Sequence, residues 1–131
     1  MSEIDTQEHG QIWENPIHCA WCGEFNLHHF KVEFFARHED DELTQETQIE
    51  LNRGRWANVT VQLVASRRSR NPSSRRTGLI ISFSCEHCSG ITELHIAQHK
   101  GTEYFGLVKG GRRICEDDFW QTAADLEKSV A

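Results

Sequence analysis

Ile17-His18-Cys19-Ala20-Trp21-Cys22-Gly23 and Ser84-Cys85-Glu86-His87-Cys88-Ser89-Gly90 decide how this 131-residue chain is read. Each stretch carries a Cys-x-x-Cys pair, and two such pairs can enclose one tetrahedral zinc ion with four thiolates. Gly23, directly after Cys22, suits the tight turn of a zinc knuckle, where backbone amides bend back toward the sulfurs. A redox Cys-x-x-Cys usually stands alone at a helix start; here two pairs use four of the five cysteines. Cys19, Cys22, Cys85 and Cys88 are therefore the expected metal ligands. Four sulfurs close the site to water and substrate, so the expected cofactor is a single structural Zn2+. Iron would suit the same thiolates, although nothing else in the sequence points to electron transfer.

The spacing departs from short zinc ribbons. Their ligand pairs lie about 15–20 residues apart, whereas 62 residues separate these, from Gly23 to Ser84. The intervening sequence reads as sheet. Phe30, Val32 and Phe34 alternate with Lys31, Glu33 and Phe35, and Gln45–Leu51 gives a second strand. Asn52-Arg53-Gly54-Arg55 reads as a turn, and Trp56–Ala65 as the clearest strand. In Leu79–Ser84, Leu79, Ile81 and Phe83 share one side. The polar stretch Ser66–Thr77 between these two strands predicts an arginine-tipped loop closing a long hairpin. Beyond the second pair come strands at Ile91–Ala97 and Tyr104–Val108. Phe119, Ala123, Leu126 and Val130 then form one apolar helical face, with Asp117 and Asp118 suited to the helix start.

The fold class expected is mainly β: an antiparallel sheet with two zinc knuckles, extended zinc-ribbon-like, plus a C-terminal α-helix at about 116–130. Residues 1–16 read as a weakly ordered lead-in that Trp13 could anchor, and 17–131 as one zinc-stabilised domain. Hydrophobic residues make up only 37% of the chain, so a modest core is expected and metal should supply part of the folding free energy. Structural zinc contributes on the order of 10–16 kcal/mol in small fingers, against a net domain stability of about 5–15 kcal/mol.

The pattern that runs from Asn71-Pro72-Ser73-Ser74-Arg75-Arg76 through Cys85-Glu86-His87-Cys88 to Gln98-His99-Lys100-Gly101 resembles a group of small zinc-ribbon proteins from bacteria and their phages. The resemblance covers roughly residues 17–108. It implies a small β-rich zinc protein and brings no activity with it.

Charge is unevenly placed. Residues 1–50 hold twelve acids and two bases, Lys31 and Arg37, whereas residues 51–85 hold seven arginines and no acid. Arg67, Arg68, Arg70, Arg75 and Arg76 are thus candidates for contact with nucleic acid or with an acidic protein surface. Against the first stands a net charge of -6. A non-catalytic protein-binding or scaffolding module is the leading functional expectation, with nucleic-acid binding through the 67–76 loop as the alternative. A metal-dependent nuclease would need converging acids or histidines. Glu33, Glu93, Glu103, His28 and His29 are available, but their spacing marks no constellation. His87 is placed to act near the sulfurs as an outer-shell group. The spacing of His95 and His99 has no helix to give it a ligand meaning, and Cys115 reads as incidental. No apolar run reaches the roughly 20 residues of a membrane span, and the acidic N-terminus lacks a secretion signal. The expected location is cytoplasmic, where thiols stay reduced, with no membrane contact.

Overall fold

Alternating sequence becomes strand throughout the described part of the chain. The computed structural model describes residues 16–112; the expected helix at 116–130, Trp13 and Cys115 lie outside them. Six strands follow in order: β1 (Leu27–Ala36), β2 (Leu43–Asn52), β3 (Arg55–Ala65), β4 (Gly78–Cys85), β5 (Gly90–His99) and β6 (Thr102–Arg112). They form one antiparallel sheet in the order β3-β2-β1-β4-β5-β6.

Two turns fix the register at the two ends of the sheet. Between β2 and β3, Arg53 and Gly54 have φ of 55° and 79°; between β5 and β6, Lys100 and Gly101 have 51° and 78°. Positive φ at both central residues is the signature of the type I′ hairpin, whose twist matches that of the flanking strands.

The hairpin expected between Trp56–Ala65 and Leu79–Ser84 does not form. β3 lies at the outer edge beside β2, and β4 pairs with β1 instead. β1 to β4 therefore make a Greek key, in which the fourth strand returns by a long connection to lie beside the first. The local β2–β3 turn wins β3 for β2. That leaves the inner edge of β1 for β4.

The connection, residues 66–77, is a built element. It begins with one 3-10 turn at Ser66–Arg68 and then lies over one face of the sheet. Paired residues share a face, so the register puts Glu33, Phe35, Ile80, Ser82, Glu93 and His95 on this side. Arg70 reaches down to them, bonding both oxygens of Glu93 at 2.9 Å and Glu33 at 3.4 Å. Ser73 is buried; its hydroxyl donates to the Gln98 carbonyl at 2.7 Å and accepts the Arg76 amide at 2.9 Å. The Asn71 side-chain amide donates to the Arg76 carbonyl at 2.7 Å. Beneath this cover lie Phe35 and Ile80, 1% and 0% exposed.

The opposite face is left largely open. Only its metal-proximal end is covered, where the first knuckle sits over Thr92, whose hydroxyl accepts the Ala20 amide at 2.8 Å. Elsewhere Phe34, Leu63 and Phe105 are 44%, 66% and 79% exposed. No helix of the described residues is long and apolar enough to cross a membrane.

The loop's fastening gives a pH-dependent prediction. Burial disfavours the charged form of Glu93. The His95 hydrogen bond and the Arg70 guanidinium outweigh it and hold the carboxyl below its usual range. The stabilisation is then complete above the ordinary glutamate value of about 4.3 and fades as pH falls through the lowered one. Arg70→Met should cost about 1–3 kcal/mol, because it leaves a nearly enclosed carboxylate short of a partner. Glu93→Gln should lose part of the acid-side slope of stability. Denaturant titrations of both chains between neutral and acid pH read the difference, and parallel curves would refute it.

Candidate metal centre

The Greek key brings the cysteines together. β1 begins where β4 ends, with Leu27 paired to Cys85. The first pair, a few residues before β1, therefore meets the second pair at the β4–β5 turn, and the 62-residue gap is used up in strands that go out and come back. The four Sγ atoms lie within 4.8 Å of one another. Across the two knuckles, Cys19 to Cys88 and Cys22 to Cys85 are both 3.6 Å. Sulfurs about 2.3 Å from a tetrahedral centre would be about 3.8 Å apart. The spacing fits a shared central ion and is far beyond a disulfide bond of about 2.05 Å.

Each knuckle supports its sulfur with backbone. The Trp21 amide donates to Cys19 Sγ and the His87 amide to Cys85 Sγ, both at 3.3 Å. Gly23 closes the first turn with φ of 83°, and its N–H donates a hydrogen bond to the Cys19 carbonyl at 2.9 Å. Ser89 takes the matching position in the second, at φ 62°. The Glu86 amide also donates to the Asn26 carbonyl at 3.1 Å, which ties the second knuckle to the lead of β1.

The thiols titrate unequally. Burial pushes Cys88 up, and Cys19, Cys22 and Cys85 add to it, so that the group reaches about 12. Burial also opposes ionisation of Cys19, but the amides of Cys22 and Trp21, with Thr92 and Cys88, outweigh it and bring the thiol down to about 6. Four sulfurs this close cannot all carry charge unaided. A central cation removes that penalty and favours four thiolates at once. The cluster can hold a metal ion.

Outer contacts differ in part from expectation. His87 turns its ring to Asn26, whose amide donates to Nε2 at 2.7 Å; its support of the sulfur runs through backbone. His28 pairs with Glu86, His95 with Glu93 at 2.7 Å. The residue that sequence reasoning missed is Trp21. Its indole N–H donates to the Ile91 carbonyl at 3.0 Å, and Lys109 Nζ lies 5.0 Å from the ring centre. The ring packs where a side chain on Gly90 would go: a Cβ there would meet Trp21 Cδ1 at 2.5 Å and Cys88 Sγ at 3.1 Å. The signal was present as a tryptophan inside one pair and a glycine after the other.

The five loop arginines fare differently. Arg75 pairs with Asp40 at 2.8 Å and Glu39 at 2.9 Å, Arg76 with Glu39 at 2.8 Å, and Arg70 with Glu93 and Glu33. Arg67 and Arg68 are exposed, and no ion pair forms to them among the described residues. Glu33 and Glu93 do come near one another, but around Arg70. Among the described residues, the four cysteines are the one cluster of His, Cys, Asp and Glu able to hold a metal.

The chain matches no family model, no curated protein and no solved structure.

Gly90→Ala should displace Trp21 and loosen the second knuckle, lowering metal affinity about 10-fold or more, as outer-shell changes do. Competition against a chromophoric chelator measures it. Affinity equal to that of the unaltered chain would show that the Trp21–Gly90 contact does not hold the knuckle.

Proposed function

We propose that this chain is a non-catalytic interaction module of extended zinc-ribbon type. One zinc ion at Cys19, Cys22, Cys85 and Cys88 pins its sheet, and a protein partner binds its surface. The observation that carries the reading is the closed four-sulfur cluster at the seam of β1 and β4. A site with four protein ligands has no open position for chemistry. Its effect is to hold two strand ends together. The broad apolar face opposite the loop supports a binding role, since contiguous exposed apolar surface marks sites of association.

Nucleic-acid binding is a second reading, and the ion pairs of the loop bear on it. With Arg70, Arg75 and Arg76 engaged by carboxylates, Arg67 and Arg68 are what the loop offers to phosphate. Two contacts would give a salt dependence of about -2 in log–log slope, against about -4 to -5 for five. A slope near -4 in a duplex-binding titration would mean that the ion pairs open on binding and would favour this second reading.

Metal analysis of purified chain should give one zinc per molecule and no free thiol among the four until acid or chelator is added. Lowering the pH protonates the thiolates and releases the ion. Chelation at neutral pH should abolish the cooperative unfolding transition, or lower its midpoint steeply. A metal-free chain that melts at the same temperature rules out the structural role.

A further inference from the structure

A sheet one layer thick has two faces; the loop 66–77 covers part of one, leaving Tyr104 and Val108 of β6 exposed, and the first knuckle covers one end of the other. What remains carries an unbroken apolar row across β1, β4, β5 and β6, formed by Phe34, Leu79, Ile96 and Phe105, and continues on β3 beyond Gln45 and Thr47 of β2. Phe34 on β1, Leu43 on β2, Val61 and Leu63 on β3 and Phe105 on β6 stand on it between 44% and 79% exposed. Scattered apolar residues on a surface need no explanation, but a continuous field of them does.

We propose that this face is covered by a second copy of the same chain, packed sheet against sheet in a two-fold dimer. The inference rests on the interaction-module reading and names its partner. Three observations support it. The first is extent. Six strands about 4.8 Å apart, each with about seven residues rising about 3.3 Å beyond the end that the first knuckle covers, leave a face of roughly 650 Å2. A standard interface takes about 800 Å2 from each partner. The second is composition. Apart from His29, and from Arg112 opposite Gly90 at the end where Trp21 packs, the register places two charged residues of the described part on this face, Glu103 and Lys109. A nearly uncharged surface suits an apolar counterpart, and another copy supplies one of the same size.

The third observation is the placement of those two charges. Glu103 and Lys109 stand toward opposite ends of β6 on the same face, Glu103 at the open end and Lys109 beside the Trp21 ring at the edge of the first knuckle, both exposed. A two-fold axis lying between the sheets, across the strands, stacks β6 of one copy on β6 of the other with direction reversed. Glu103 then comes to the end where the second copy carries Lys109, and the pairing occurs twice. The face is self-complementary, as an isologous contact requires. Two sheets meeting in this way pack about 10 Å apart with side chains interdigitated.

The test is sedimentation equilibrium of the full, zinc-loaded chain at 1–100 µM (roughly the range for a moderately tight dimer), with zinc measured on the same sample. Twice the 15.1 kDa chain mass is expected. Leu63→Lys and Phe105→Lys should each weaken association at least about 10-fold, whereas Gln62→Lys, on the opposite face, should leave it unchanged. Glu103→Lys should weaken it, and Glu103→Lys with Lys109→Glu should restore it, which reads the two-fold register directly. A monomer at all concentrations overturns the proposal, whether residues 113–131 or a different protein take the face. A dimer indifferent to Leu63→Lys, Phe105→Lys and the charge exchange overturns it too. A monomer carrying one zinc leaves the metal-pinned module standing, whereas a zinc-free folded chain removes that reading independently.

Discussion

The pairing of β1 with β4 is the constraint on which this molecule rests. It closes the Greek key, it sets Leu27 beside Cys85, and it brings two sulfur pairs into one cluster. Without it the sheet separates into two meanders, β1 to β3 and β4 to β6, each with a small apolar surface. Backbone bonds along the seam hold its middle, and the four thiols gather at its end. An ion bound there, as proposed, would make that end the least yielding part of the fold. Metal binding and strand pairing would then be one event seen from two sides.

Charge does a different job from the one its sequence pattern advertises. The acid-rich first half and the arginine-rich middle are not two fields looking outward. Glu39 and Asp40 from the β1–β2 loop meet Arg75 and Arg76, and Glu33 and Glu93 from the sheet meet Arg70. Ion pairs as exposed as Arg75–Asp40 contribute little each. Arg70 counts for more, because Glu33 and Glu93 are 13% and 12% exposed and their charge has little water around it. The polar connection thereby becomes a lid over Phe35 and Ile80.

Much of this could be read from the residues themselves. All six strands appear where alternation or β-branched runs place them, and the four cysteines meet as their spacing suggests. Three things could not be read. Strand order was one: Trp56–Ala65 and Leu79–Ser84 look like neighbours across a loop, and only the competition of the Arg53-Gly54 turn for β3 separates them. The enclosed face was another. Alternation marks Leu79, Ile81 and Phe83 as one side, yet Ile80 and Phe35 are the most enclosed large apolar side chains, because burial depends on where a loop of serines and arginines comes to rest. A half-apolar strand carries no label for the side that will be covered. The third was Trp21, whose role at Gly90 depends on two knuckles meeting across a long stretch of chain.

The crossing of the loop over β2 and β1 has a kinetic side. Cys19 and Cys22 leave the ribosome long before Cys85 and Cys88 do, so a growing chain holds half a site with nothing opposite it. Closing a segment of this length costs about 3–4 kcal/mol in chain entropy before any contact repays it. The β2–β3 and β4–β5 hairpins, whose partners are near in sequence, can form while that debt is outstanding; the seam between them cannot. Assembly should therefore finish where the polypeptide has furthest to travel, and the sulfurs would register its completion.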